Sequence, residues 1–354
     1  MKCTYPHYYK NFRCIADKCP DTCCAGWEIV VDAESAEKYR LADGEIGKKL
    51  RQAMTVDSDG DTVFVSRNRR CPFLLGNNLC EIYIELGEKS LCRTCTLFPR
   101  HITDLGSRRE IGISVSCPEA ARLIFSSDEP ITFETVDEDV PIQPNDIDPT
   151  SYFILQKAQK TAINILQNRK FSLNLRLIAF LRFCEGVQKQ IRSGNVAEIP
   201  MNDEYFLPVL PSYSQAKRTL NRHSDLLISL EKLNSEWTHE LKNAKKLRAE
   251  DILYPDEAEH LAVCLAFRYF MTAAFDGNLI SKARFTVFSV ISSLILASAS
   301  PRFGNKDERI EAYRRYSKEV EHSAENLDCI FTAIKKSRYF GSDNLINILS
   351  SKEK

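Results

Sequence analysis

The sequence has no excess of either charge. Its 354 residues include 48 lysines and arginines and 48 aspartates and glutamates. Proteins whose main partner is nucleic acid usually carry a basic excess, because the phosphate backbone supplies much of the binding energy. We therefore expect no nucleic-acid partner.

Long apolar segments are also lacking. The first residues, MKCTYPHYYKNFRC, contain neither the apolar stretch nor the small-residue cleavage site of a signal peptide. The longest apolar run, around Phe285–Ala299, is interrupted by serines. It is shorter than the roughly 20 residues that a membrane span needs. These absences predict a cytoplasmic protein with no membrane partner.

Two familiar cofactor signatures are missing as well. No glycine-rich loop follows a strand-like segment, so a doubly wound nucleotide-binding domain is unsupported. Many enzymes that cleave S-adenosylmethionine reductively hold a cluster with C-x3-C-x2-C. Here Cys19 and Cys23 give the first spacing, but Cys24 follows at once. The strand–helix alternation of a β/α barrel is also absent, which excludes an ordinary radical enzyme of that type.

Cysteine, in contrast, is abundant and unevenly distributed. The chain has 13 cysteines, and most of them lie at or before Cys117. Cytoplasmic thiols stay reduced, so clustered cysteines there bind metal or do chemistry more often than they form disulfides. Short spacings with turn-forming neighbours let thiolates converge on one centre. The predicted metal ligands are Cys14, Cys19, Cys23, Cys24, Cys71, Cys80, Cys92 and Cys95.

The spacing leaves the metal and the number of centres open. Histidines only flank the motifs, at His7 and His101, which favours an all-thiolate site. Such a site suits zinc and iron–sulfur clusters alike. With Cys117 the candidates number nine, more than the four that one cluster needs. Two sites, or one site with additional structural thiols, both fit the pattern.

The pattern divides the chain into two parts and predicts a mainly α protein. Residues 1–126 predict a small, irregular α+β, cysteine-rich, metal-binding domain, and residues 151–354 an α-helical bundle. The acidic segment 127–150 predicts a linker or surface crossing. We predict strands at 26–32, 61–66 and 109–117, a helix at 32–40 capped by Asp32, and helices at 152–167, 173–187, 224–241, 257–276 and 283–300. Cys184, Cys264, Cys329 and Trp237 are predicted to pack on helical faces.

Several segments resemble the flagellin lysine-N-methylase family. They are NFRCIADKCPDTCCAGWEIVVD, RRCPFLLGNNLCEIYIELGEKSLCRTCTLFPR, SCPEAARL and, in the helical half, CLAFRYFMTAAFDG. The cysteine core is also similar to a broader family of zinc- or iron-chelating cysteine-cluster domains. The resemblance covers Tyr9–Leu123 closely and the helical half loosely.

This resemblance implies methyl transfer from S-adenosylmethionine to lysines of flagellin, in the cytoplasm. It also implies a [4Fe–4S] cluster, with zinc as the alternative metal. Two other functions stay open. One is a zinc-stabilised protein-binding module without catalysis, and the other is an iron–sulfur electron-transfer protein.

Four further residues receive roles within this hypothesis. Arg93 and Arg100 are assigned to the cofactor carboxylate, with charge compensation or a plain surface position as the alternative. Trp27 stacks on adenine or covers the cluster, or else belongs to the core. Tyr83 orients the substrate lysine as the catalytic residue, unless it only packs.

Overall fold

The computed structural model describes residues 1–66, 70–142, 145–197, 199–233, 235–299 and 305–353. Residues 143–144 of the predicted linker, residue 234 of the helix predicted at 224–241 and residue 300 of the last predicted helix lie outside these ranges. The strands are β1 Lys2–Pro6, β2 Met54–Val56, β3 Thr62–Phe64, β4 Arg100–Leu105, β5 Arg108–Ile113 and β6 Phe133–Asp137. The helices are α1 Ala33–Leu41, α2 Gly44–Ala53, α3 Glu81–Leu86, α4 Arg93–Leu97, α5 Pro118–Ile124, α6 Pro149–Leu166, α7 Leu173–Ser193, α8 Tyr213–Ser229, α9 Ser235–Ala244, α10 Ala258–Tyr269, α11 Ala273–Asp276, α12 Leu279–Ser298, α13 Lys306–Val320, α14 Ala324–Lys336 and α15 Ser342–Ser350. The chain is thus mainly α, as predicted.

Four strands of the first half form one sheet, in the order β4–β5–β1–β6. β1 runs parallel to β5, with Cys3 opposite Arg109, and antiparallel to β6. β4 and β5 form an antiparallel hairpin. Strand β6 lies in the segment 127–150, so the acidic segment contributes an edge strand to the sheet. Sequence analysis did not predict this strand.

The predicted local structure around the cysteines is correct in part. A helix does begin after Asp32, whose Oδ1 accepts a hydrogen bond from the Ser35 backbone at 3.0 Å. Strand β3 lies within the segment predicted at 61–66, and β5 overlaps the segment predicted at 109–117 but ends at Ile113. The strand predicted at 26–32 is wrong, because only Val30 forms an isolated bridge, to Val63. Gly26 has a φ of 107°, so the chain turns at the start of this segment, and the Asp32 cap ends it.

The described residues pack into one large hydrophobic core, one small core and a minor apolar cluster of Cys3, Tyr5 and Ile111. The large core contains the buried faces of the long helices, and it also takes Leu105, Ile113 and Ile124 from the first half. The small core is built from Ile29, Val31, Ala36, Tyr39, Leu50, Phe64, Phe73, Ile82 and Cys92. Residues of the sheet therefore pack with the helical half, while the segment from Ile29 to Cys92 has its own interior.

The helical half differs from its prediction at two places. The helix predicted at 257–276 is divided into α10 and α11 by a turn of 3-10 helix at Phe270–Thr272. A single helix was predicted at 224–241, but α8 ends at Ser229 and α9 begins at Ser235. Side chains from the C-terminal helices bind the backbone of the break. Asn326 Oδ1 accepts from the Glu231 backbone at 2.9 Å, and Glu319 Oε2 accepts from the Leu233 backbone at 2.8 Å. These hydrogen bonds satisfy backbone N–H groups that have no helical partner at the break.

Helix α12 is longer than the apolar run around Phe285–Ala299 that the sequence analysis judged too short for a membrane span. It spans 20 residues and is long and apolar enough to cross a membrane by length and composition. Within the described structure, however, 83% of its most apolar window is buried. Burial of this kind is what a core helix shows, so its length is weak evidence for a membrane span.

The isolated cysteines and Trp237 can now be placed. Trp237 is 2% exposed, and Cys184 is fully buried in the large core, as predicted. Cys264 packs against that core, with its Sγ 3.1 Å from the Tyr8 hydroxyl. Cys329 is exposed on α14, so its predicted core position is wrong.

Candidate functional site

Helix α13 anchors the cysteine-rich loop near the start of the chain. Asp21 lies between Cys19 and Cys23 and accepts hydrogen bonds from Arg314 Nη1 at 2.6 Å and Lys318 Nζ at 2.8 Å. Partial burial raises the pKa of Asp21, but the bonds from Lys318 and the charge of Arg314 outweigh it and the pKa is lowered. Arg314 Nη1 also donates to the Ser116 carbonyl at 3.2 Å. One arginine thus joins this loop to the residue before Cys117.

Four thiols gather around this anchor, and we call them the first thiol group. They are Cys14, Cys19, Cys23 and Cys117. Cys14 and Cys117 both raise the pKa of Cys23 electrostatically, and Cys19 and Cys14 do the same to Cys117. The main cause for Cys117 is burial, which raises its pKa to about 11. The lone cysteine of the sequence therefore lies near the first motif.

Five thiols form a second thiol group beside the small core. They are Cys24, Cys71, Cys80, Cys92 and Cys95. The Cys71 backbone donates to the Cys24 carbonyl at 2.8 Å, and Cys80 forms an isolated bridge with Leu74. Four of the five, all but Cys24, belong to the small core or pack against it. Burial is the main cause that raises the pKa of Cys71, to about 12.

Two pairs of these thiols bond to each other directly. Cys23 and Cys24 share a hydrogen bond, and so do Cys92 and Cys95. Sharing one proton eases the first ionisation of a pair and opposes the second. Accordingly the bond from Cys23 lowers the pKa of Cys24 to about 7 and raises that of Cys23, while the pKa of Cys92 falls and that of Cys95 rises. The adjacent residues Cys23 and Cys24 therefore connect the first thiol group to the second.

The donor set suits soft metals more than a single hard cation. All thirteen cysteines are free of disulfides. Among the described residues, no three His, Cys, Asp or Glu side chains are close enough together to hold one ion. A [4Fe–4S] cluster takes one thiolate per iron around its outside, so its ligands lie further apart than those of one ion. The two thiol groups therefore fit such a cluster by chemistry.

A pocket of about 360 Å³ adjoins both thiol groups. This volume lies within the range of about 300–1,000 Å³ for small-molecule sites. The lining residues that carry reactive, charged or aromatic groups are Cys23, Trp27, Glu28, Cys95, Phe98, Arg100, Arg268 and His322. The N-terminal half supplies the thiols and two of the rings, and the helical half supplies Arg268 and His322.

His322 contacts both aromatic rings that line this pocket. Its ring stacks on Trp27 at a centroid distance of 5.2 Å and lies 5.5 Å from the Phe98 ring. Its Nε2 lies 2.8 Å from the Ser116 hydroxyl and 3.0 Å from that of Ser114. Burial, together with nearby cations, lowers the pKa of His322 to about 3. The imidazole is therefore neutral near pH 7.

Two arginines place positive charge at the same pocket. The Arg100 guanidinium lies 5.2 Å from the Phe12 ring centroid and donates to the Thr96 carbonyl at 3.4 Å. Arg268 Nη1 lies 3.0 Å from Glu321 Oε2, so part of its charge is balanced. Their placement suits an anionic group in the pocket.

The structure brings together some of the predicted site residues and separates others. Trp27, Arg100 and the two pocket-lining cysteines lie at one site. Arg93 is exposed, and its backbone N–H donates to Asp32 Oδ2 at 2.7 Å. Tyr83 is 50% exposed on α3 and is not among the residues that line the pocket. The roles assigned to these residues stay predictions.

Sequence reasoning missed Arg268 and His322. Arg268 lies in CLAFRYFMTAAFDG, so this segment carried a signal that pointed to its neighbourhood. His322 follows α13 in a segment with no motif. Only the fold, which brings this residue against Trp27, shows its position.

Comparisons with known proteins give one family match, in the helical half, and several individual relatives. The model of the FliB lysine N-methylase C-terminal domain matches residues 159–348, more than half of the chain. The flagellar biosynthetic protein FliU of Salmonella muenchen is 28% identical over 129 residues, which is 35% of this chain and 76% of FliU. The lysine-N-methylases of Salmonella choleraesuis (strain SC-B67) and Salmonella typhimurium (strain LT2) are each 28% identical over 129 residues, 35% of this chain.

The matched region spans about a third, 32%, of each of these two methylases. No solved structure matches the chain. The match to the C-terminal domain covers both helical-half residues of the pocket, Arg268 and His322. By this match, the chain belongs to the FliB lysine N-methylase family.

Proposed function

We propose that this protein transfers methyl groups from S-adenosylmethionine to lysine side chains of flagellin. Two relatives carry the name lysine-N-methylase, and a third is named a flagellar biosynthetic protein. The alignments cover only part of each chain, so the activity and the substrate rest on family membership and on the pocket.

The observation that carries the proposal is the composition of the pocket. Its walls combine thiols, aromatic rings and two guanidinium groups, contributed by both halves of the chain. S-adenosylmethionine has matching parts: an adenine that stacks on rings, a carboxylate that binds arginine, and an amino group. Trp27 and Phe98 offer the aromatic surface, and Arg100 and Arg268 the cations.

The reaction needs a neutral lysine amine. Its nitrogen lone pair forms the new N–C bond while the C–S bond of the sulfonium breaks and its electron pair stays on sulfur. The lysine ammonium gives one proton to solvent before the attack, and the products are protonated methyl-lysine and S-adenosylhomocysteine. Two nearby guanidinium groups and partial desolvation lower the pKa of a lysine that enters the pocket. Glu28 also lines the pocket, and a carboxylate there acts on the lysine pKa in the opposite direction.

The iron–sulfur cluster is the second part of the proposal. The thiols of the two groups would hold it, and it would supply an iron for the amino and carboxylate groups of the methionine part. Zinc bound by the same thiolates would instead have only a structural role. The chain's own residues then orient the cofactor, since position supplies much of the catalysis in methyl transfer.

The test is methylation of purified flagellin by anaerobically prepared protein with methyl-labelled S-adenosylmethionine. Arg268→Gln and Arg100→Gln should each raise the KM for the cofactor about tenfold or more, because a charge-assisted hydrogen bond contributes about 1.5–3 kcal/mol. Arg93→Gln is the matched control, since this exposed arginine follows a cysteine but does not line the pocket. Absence of transfer by the unmodified protein, or loss of activity only in the Arg93 variant, would contradict the proposal.

A further inference from the structure

We infer that Glu28 forms a binding subsite for the ammonium group of the substrate lysine, in the pocket that Trp27 and Arg268 line. The inference rests on the proposed function and adds a recognition residue to it. Glu28 is exposed, whereas the Arg268 side chain is only 18% exposed. The pocket therefore has an acidic group on its solvent side and a guanidinium group further inside.

The Glu28 carboxylate is available for a ligand. It is the one carboxylate among the described residues that line the pocket. It forms no hydrogen bond or ion pair within the described part of the chain. The cations at the same pocket have other partners: Arg268 pairs with Glu321 at 3.0 Å, and Arg100 donates to the Thr96 carbonyl at 3.4 Å. A carboxylate without a cation of its own suits a cationic group that the substrate brings.

The residues on both sides of Glu28 fix the direction of its side chain. Trp27, which precedes it, stacks on His322 at a centroid distance of 5.2 Å. Ile29, which follows it, is 4% exposed in the small core, and its carbonyl accepts from the Phe64 backbone at 3.1 Å. Because successive side chains on extended backbone point to opposite sides, Glu28 points away from the small core and towards the pocket.

An ammonium group could come from the substrate lysine or from the amino group of S-adenosylmethionine. The exposed position of Glu28 favours the lysine, because a protein substrate approaches from the solvent side. The amino and carboxylate groups of the cofactor share one carbon atom, so both lie at the same end of the pocket. The more buried guanidinium of Arg268 marks that end.

The carboxylate has two opposite effects on the reaction. It binds the lysine as an ammonium ion, and it raises the lysine pKa, which lowers the fraction of neutral amine. The other charged or titratable groups that line the pocket are Cys23, Cys95, Arg100, Arg268 and His322. Lys318 Nζ lies 5.7 Å from the Trp27 ring centroid and pairs with Asp21. Replacement of Glu28 leaves all these groups in place, so it isolates the effect of one charge.

The test compares Glu28→Gln with the unmodified protein in methyl transfer to purified flagellin. We expect the KM for flagellin to rise about fivefold or more, because the amide is no ionic partner for the ammonium group. The acid limb of kcat should move to lower pH, since the bound lysine loses its proton more easily without the carboxylate. The KM for S-adenosylmethionine should stay unchanged.

Glu85→Gln is the matched control, since this exposed acid of α3 does not line the pocket. It should leave both KM values and the pH profile as they are. An unchanged KM for flagellin in Glu28→Gln, or a higher KM for S-adenosylmethionine in its place, would overturn the inference. So would lower activity at every pH without movement of the acid limb, because a disturbed structure gives that result.

A binding measurement separates this inference from the proposed function. Anaerobically purified protein without cofactor is mixed with Nα-acetyl-lysine methylamide or with the norleucine analogue, which lacks the ammonium group, and binding is followed by ligand-observed NMR. We expect tighter binding of the lysine probe and loss of this preference in Glu28→Gln. Equal binding of the two probes by the unmodified protein would overturn the inference even if flagellin is methylated. A preference without any methyl transfer would support the subsite and contradict the proposed function.

Discussion

The two cores of this protein are built in different ways. The large core is made almost entirely of apolar helix faces, with side chains such as Phe285, Phe288 and Leu294 fully buried. The small core has nine buried members, and reduced cysteines lie in it and around it. Its helices are short, and its two-stranded sheet has three residues in each strand.

This difference indicates what each core depends on. Burial of apolar area stabilises the helical half without help, since each large side chain contributes about 1.5–3 kcal/mol. The small core buries little apolar surface, and small domains of that kind commonly depend on metals or disulfides. The same half that lacks a large core contains the thiol groups. The comparison predicts that the two cores respond differently to truncation, to pH and to loss of a polar contact.

The largest effect should come from a matched pair of core truncations. Phe288→Ala removes a fully buried ring that contacts His223 and Phe340, and it should lower the free energy of unfolding by about 3–5 kcal/mol. Phe73→Ala removes a ring that is 1% exposed in the small core. Its effect should appear in local hydrogen exchange between Ile29 and Cys92, with the helical half still protected. Equal loss of protection in both halves would show that the cores unfold as one unit.

The next effect concerns a buried carboxyl group where the sheet meets the helical half. Glu110 on β5 is 3% exposed and accepts a hydrogen bond from Gln159 of α6 at 3.0 Å. Burial raises its pKa to about 7 from an ordinary value of 4.5. The folded state thus holds a proton that the unfolded state releases, so stability falls as the pH rises from about 4.5 to 7, by about 3 kcal/mol in total.

Glu110→Gln should remove this slope, because an amide does not ionise. Urea denaturation at several pH values between 4.5 and 7.5 measures the effect, with helical circular dichroism as the signal. The unmodified protein supplies the reference slope. An unchanged slope in the variant would mean that another group causes it.

Much of the fold follows from local patterns in the sequence. The buried faces of α6 and α12 and the cap at Asp32 are short-range features that periodicity and residue type reveal. The pairing of β1 with β5 and β6 is not, because it joins residues more than a hundred positions apart. The break between α8 and α9 also depends on distant side chains, Asn326 and Glu319, that satisfy the backbone.

The candidate site shows the same limit. The cysteines and Trp27 could be chosen from spacing and neighbours, since their motifs are local. Arg268 and His322 could not, because their importance arises only where α10 and the end of α13 meet the N-terminal half. Tyr83 was also chosen from its position near Cys80 in the sequence; α3 leaves its side chain half exposed, and its role stays a prediction.

A smaller effect should follow from loss of the contact that joins the cysteine loop to α13. Asp21→Asn removes the anion between Arg314 and Lys318, whose side chains are mostly buried, and should cost about 1–3 kcal/mol. Because the large core is unaffected, the main result should be faster proteolysis of the segment from Cys14 to Cys24. Asp17→Asn is the matched control, since this exposed residue lies in the same loop. Equal proteolysis of the two variants would show that the ion pairs do not hold the loop.

The smallest predicted effect comes from comparing an aspartate that caps a helix with one that precedes a helix without capping it. Asp32 caps α1 through Ser35 and also accepts from the Arg93 backbone, whereas Asp43 precedes α2 without a side-chain cap. Asp32→Ala should therefore cost about 1 kcal/mol, and Asp43→Ala less, in thermal denaturation. Slight burial raises the pKa of Asp32, but the bonds from Arg93 and Ser35 outweigh it, so the folded pKa lies below 3.8. The contribution is full above pH 3.8 and is lost as the pH falls through the folded pKa, so the two variants should converge in acid. A difference that persists there would mean that Asp32 acts through packing and not through its charge.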